Sequence, residues 1–167
     1  MRNDGGRARR CTVPPDEPLI GRADFDYADS FEIALRQPDL RSPEQLFRVA
    51  LTQARWVRML VPVVHRYVLG FRLGPMSSPS HVLGWKIMVS KADVVQLEAV
   101  SPLARGLIVG RKAGTTAVFT TYLFYKRPAA ARIILAVISP VHRAVAPYLM
   151  ECAADTTTPG LSGEMLR

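Results

Sequence analysis

At 167 residues, with 49% apolar and 22% charged residues, the chain has the make-up of one globular domain and excludes a disordered, collagen-like or disulfide-stapled protein. It is long enough to bury about 70% of its unfolded surface without help from a metal or a disulfide. Cys11 and Cys152 form neither a disulfide framework nor a metal motif, which suits a reducing cytoplasm. The formal charge of +8 admits an anionic partner, but no run of adjacent basic residues in the expected folded part exceeds two, so nucleic acid is a poor fit.

Residues 1–22 are rich in Arg, Gly and Pro and lack the apolar run that follows the arginines of a secretory signal. They hold too little apolar surface to order themselves, and DTTTPGLSGEMLR at 155–167 reads the same way. The expected folded unit is therefore 23–154, a single domain with a tail at each end. Within it, Phe25, Tyr27, Phe31 and Ile33 alternate along ADFDYADSFEIAL (23–35), the pattern of a half-buried strand. Gln37-Pro38-Asp39 turns the chain. In RSPEQLF, Ser42 can cap a helix, Pro43 suits its first position and Gln45 can close a capping box. An apolar stripe through residues 47, 50, 54, 57, 61, 64 and 68 carries that helix to about Leu69, with a kink or break expected at Pro62 and a stop at Gly70.

LGPMSSPSH (73–81) is a loop by composition. Four strand segments follow at 82–89, 94–100, 103–110 and 115–125. Their links are short and polar, so neighbours pair antiparallel in a meander. From Pro128 to about Met150, Ile134, Val137, Ile138, Val141, Val145, Tyr148 and Leu149 keep helical spacing. Pro140 and Pro147 should bend this helix. Each costs about 3 kcal/mol in a regular interior, so the helix needs its stripe packed on the sheet along most of its length. A membrane span is not expected here. Arg132, His142 and Arg143 interrupt the segment, and the uncharged run 133–141 is about half of the ~20 residues a span requires.

The order strand, helices, antiparallel meander, long C-terminal helix resembles the helix-grip fold of the START-like (SRPBCC) superfamily, which includes polyketide cyclases and dehydratases. VLGWKI, DVVQLEA, TTAVFTTYLFYKRP and ISPVHRAVAPYLM are similar to a family of small domains attached to that superfamily and without an established activity. The resemblance covers about residues 24–154. It implies an α+β fold, with a curved antiparallel sheet wrapped around the C-terminal helix and a cavity between them suited to an apolar ligand.

No catalytic signature stands out. His142 would act as a general base only with a partner in reach, and no carboxylate lies nearby in sequence. Glu98 shares a strand face with Gln96, opposite Val95, Leu97 and Ala99, and fits a solvent-facing pair with Lys86 or Arg105. Both remain weak catalytic candidates. Asp24 and Asp26 share one strand face and Asp29 the other, and neither they nor His65 and His81 form a metal-ligand pattern, so no metal and no cofactor is expected. Trp85, Leu97, Tyr122 and Phe124 from the sheet, with Ile138 from the helix, are the expected ligand-lining residues. Three readings follow. The first is a non-enzymatic binder of a small apolar molecule. The second is a cyclase- or dehydratase-type enzyme using Glu98 or His142. The third is a binder of nucleic acid or anionic membrane through Arg48, Arg55, Arg58 and Arg111-Lys112.

Overall fold

The computed structural model describes residues 6–15, 17–20, 24–35 and 39–155. Gln37 and Pro38 of the expected turn, and nearly all of the expected C-terminal tail (156–167), lie outside the described residues. Among those described, seven strands form one antiparallel sheet in the order β1-β2-β7-β6-β5-β4-β3. They are β1 (Arg9–Cys11), β2 (Tyr27–Ala34), β3 (His81–Val82), β4 (Trp85–Ser90), β5 (Val94–Val100), β6 (Ala104–Ala113) and β7 (Thr116–Tyr125). Three helices accompany them: α1 (Pro43–Gln53), α2 (Arg55–Val63) and the 28-residue α3 (Pro128–Asp155). The fold is α+β, a curved antiparallel sheet with a long C-terminal helix in a helix-grip layout.

The meander appears, except that the segment expected as one strand over 82–89 is divided by a turn at Leu83-Gly84 into β3 and β4, and β2 closes against β7 with Asp29 opposite Thr121. β3 and β4 join through Leu83-Gly84, both at positive φ, the backbone that a two-residue hairpin needs. Leu83 is a costly residue for that conformation, and its buried side chain fills the core behind Trp85.

α1 begins with the full capping box: Ser42 Oγ accepts from the Gln45 N–H, and the Gln45 side chain accepts from the Ser42 N–H. The break expected at Pro62 falls instead at Ala54, whose φ of −87° and ψ of 67° leave the helical region. Ala54 is fully buried, and Leu51 and Val57 on either side of it in the chain are buried too. Pro62 stays inside α2. Its missing N–H leaves the Arg58 carbonyl without a helical donor, and the chain widens directly after it into one π-helical turn, Val64–Val68. Gly70, at φ +67°, ends the helical block as expected.

The folded unit starts earlier than residue 23. Arg9–Cys11 pair with Ser30–Glu32 at the sheet edge, and the Ala8 N–H donates to Glu151 on α3. Val13, Leu19 and Ile20 cover the sheet face formed by Val94, Leu107, Val109 and Tyr122. Glu17 is buried there and accepts two hydrogen bonds from Arg111, at 2.8 and 2.6 Å. Burial pushes the Glu17 carboxyl up. The Arg111 hydrogen bonds and charge, with the Leu19 N–H, outweigh that and hold its pKa below the ordinary range. Composition misses this segment because strand pairing uses the backbone and requires no apolar side chain.

α3 runs unbroken through both prolines. The carbonyls they leave without donors belong to Ala136 and Arg143, which are exposed and open to water. The expectation that α3 packs tightly along most of its length fails: only Ala131, Met150, Ala153 and Ala154 are buried. By length and composition α3 is long and apolar enough to cross a membrane, with a mean hydropathy of 1.6 over its best 18-residue window. Its inward side does not close on the sheet, and a cavity lies between them.

Candidate functional site

The cavity measures about 160 Å³ and is lined almost wholly by apolar side chains. β2 and β7 supply Tyr27, Phe31, Phe119 and Leu123. The hairpin supplies Leu83 and Trp85, and α3 supplies Leu135, Ile138 and Leu149. Gly106 makes room for this wall: a methyl group on it would lie 2.7 Å from the Trp85 ring.

Polar groups enter the cavity in two places. On α3, His142 Nδ1 lies 3.0 Å from Asp29 Oδ2, and its Nε2 lies 3.4 Å from Thr121 Oγ1. The Tyr27 hydroxyl donates to the same Asp29 oxygen at 2.9 Å. Burial raises the pKa of Asp29, but the hydrogen bond and charge of His142, the Tyr27 hydroxyl and the charge of Arg10 outweigh it, and the net shift is downward. An ionised carboxylate only accepts, so His142 Nδ1 donates to Asp29, and Nε2 is turned to the Thr121 hydroxyl. Asp29 Oδ1 is buried and has no hydrogen-bond partner among the described residues, so the carboxylate is held through Oδ2 alone.

The second polar group is His65, on the π-helical turn. Trp85 Nε1–H donates to its Nδ1 at 3.0 Å. Its proton therefore sits on Nε2, which has no partner among the described residues. Burial, and secondarily the charge of His142, lower the pKa of His65 to about 4. It is neutral at physiological pH and offers one N–H donor. The lining thus combines the His65 N–H with the Thr121–His142 pair, a set that matches a hydroxyl or a carbonyl on an otherwise apolar molecule.

No family model, no curated protein and no solved structure matches this chain.

Of the residues singled out from the sequence, Trp85, Ile138 and His142 line the cavity. Leu97 packs with Trp85 in the core behind it. Tyr122 and Phe124 belong to the opposite face of the sheet, under Val13, Leu19 and Ile20. Strand alternation explains this, because Phe119, Thr121 and Leu123 are the β7 residues turned to the cavity. Glu98 is also on that opposite face, across from Leu107, and accepts from Arg105 Nε at 2.8 Å. Among the described residues no group of three His, Cys, Asp or Glu is placed to hold a metal ion.

The sequence reading missed the Asp29–His142 pair, whose members stand 113 residues apart. A signal was present: Asp29 occupies an odd position in the series Phe25, Tyr27, Phe31, Ile33, so its carboxyl lies on the apolar face of the strand. A charged group at such a position needs a partner from elsewhere in the fold. His65 carried no readable signal, because its orientation depends on the π turn.

Proposed function

We propose that this protein is a START-like, helix-grip domain that binds a small, largely apolar molecule bearing one hydroxyl or carbonyl group. The supporting observation is the apolar cavity between sheet and α3, into which only a few polar side chains, chiefly His65 and His142, project. Size narrows the ligand. An apolar cavity near 150 Å³ accommodates a benzene-sized molecule, whereas sites for drug-sized ligands span roughly 300–1,000 Å³. One ring, or a short chain, fits inside, and anything longer extends through the opening. A cytoplasmic location belongs to the same proposal and agrees with the lack of a disulfide among the described residues.

A second reading, an acid–base enzyme of cyclase or dehydratase type, is favoured by one observation: His142 is oriented by a buried carboxylate, as a general base requires. His142 Nε2 would take a proton from carbon beside a ligand carbonyl, and the His65 N–H would stabilise the resulting enolate oxygen. Glu98 has no part in this reading, because it faces away from the cavity. The nucleic-acid reading loses support, since Arg48, Arg111 and Lys112 are engaged by Glu44, Glu17 and the carbonyls of Asp39 and Arg41.

Fluorescence tests the binding reading. The chain has two tryptophans, Trp56 and Trp85, so Trp56→Phe leaves Trp85 in the cavity wall as the sole reporter. Acetophenone, one ring with one carbonyl, should quench it saturably, and the quenching should disappear when Ile138→Phe fills the cavity. Quenching that is unsaturable, or that persists unchanged in Ile138→Phe, would defeat the proposal.

A further inference from the structure

α2 has a single buried residue, Val57. Trp56, Met59, Leu60, Val63 and Tyr67 are exposed, Met59 at 75% and Tyr67 at 76%. α3 repeats the pattern: beyond its cavity face it exposes Ile133, Val137, Val141 and Tyr148, Val137 at 72%. A helix apolar on both sides needs an apolar environment on both. These surfaces are continuous. Leu60 and Val141 are exposed and also line the cavity, so the opening lies between α2 and α3, and the Trp56 and Tyr148 rings meet there with centroids 5.6 Å apart.

The charged residues on α2, on the π turn and on α3 before Glu151 are all basic. No Asp or Glu occurs between Glu44 and Asp93, or between Asp93 and Glu151 except Glu98, which lies on the far sheet face. Arg55, Arg58, Arg66 and Arg132 are exposed, with no carboxylate partner among the described residues. Aromatic and long apolar side chains ringed by unpaired arginines match the interface of an anionic bilayer, where rings sit at headgroup depth and guanidinium groups meet phosphate. A second copy fits poorly, because a symmetric contact would bring the arginines of the two copies together.

We propose that the exposed faces of α2 and α3 form a docking surface for anionic phospholipid membranes and present the cavity opening to the lipid. The docking claim stands on the surface alone. Only the passage of a ligand between bilayer and cavity rests on the binding reading above.

The test is flotation of the full chain with vesicles of phosphatidylcholine, or of an equimolar mixture with phosphatidylglycerol. The protein should float with the mixed vesicles at low salt and much less with neutral ones. Arg55→Gln and Arg58→Gln should each weaken binding about fivefold, and Met59→Ser with Val137→Ser should abolish it without lowering the thermal midpoint. Ile138→Phe, which blocks the cavity, should float like the parent chain, so failure of the cavity reading is distinguishable from failure of docking. Equal flotation with both vesicle types, or none, would overturn the proposal. So would a concentration-dependent dimer that Met59→Ser dissolves, which would assign the surface to a second copy.

Discussion

Two histidines give the cavity its chemistry, and their environments set them apart. His142 is held by the Asp29 carboxylate, whereas His65 is enclosed among Trp85, Phe71 and the cavity and cannot charge without losing the Trp85 hydrogen bond. His65 therefore links folding to pH with a definite sign. Its pKa falls from 6.5 in the unfolded chain to about 4 in the fold. Between those values the unfolded state binds the additional proton, so stability is full above pH 6.5 and is lost as pH falls towards 4. At about 1.4 kcal/mol per pKa unit the loss is on the order of 3 kcal/mol. His65→Gln, which retains an acceptor for Trp85, should flatten the thermal midpoint across this range. Identical pH profiles for the two proteins would show that His65 does not carry the effect. Asp29, with a lowered pKa, adds a loss only at lower pH, below the ordinary carboxylate value near 3.8.

Among the elements, those specified by adjacent residues were the most readable. The Ser42 capping box, the stop at Gly70 and the strands β5, β6 and β7 depend on neighbours in the chain and stand where the sequence places them, whereas the segment 82–89 turns at Leu83-Gly84. Elements specified from a distance were not readable. The break falls at the buried Ala54, although Pro62 carries the stronger local signal. β1 and the segment through Glu17 are ordered by the edge of β2 and by Arg111, partners invisible from their own composition. This segment yields an element-scale prediction. Arg111→Ala should strand the buried Glu17 carboxylate and destabilise the protein by about 2 kcal/mol, somewhat below the full cost of breaking a buried pair because Arg111 is partly exposed. Adding Glu17→Gln should recover much of that loss. Urea unfolding measures both variants, and a double variant less stable than Arg111→Ala would contradict this account of the segment.

At the scale of the whole molecule, the long helix is buried only near its ends, and at its middle His142 ties it to the sheet through Asp29 and Thr121. Ala131 anchors one end, and Met150, Ala153 and Ala154 anchor the other against α1 and β2. The middle of α3 arches over the cavity, with one apolar side turned inward and the other turned outward. The sequence showed the apolar spacing but not this division, because periodicity reports that a residue is apolar and not whether protein, ligand or lipid covers it. The same limit separates Trp85 and Ile138, which line the cavity, from Tyr122 and Phe124 across the sheet. The proposed role of the cavity is to hold a small apolar ligand. The most direct measurement is mass spectrometry of an organic extract from freshly purified protein, alongside Ile138→Phe as the filled-cavity control. The account predicts a near-stoichiometric small apolar compound with a hydroxyl or carbonyl group in the parent chain and its absence from Ile138→Phe. The same compound at equal yield from both proteins would contradict it.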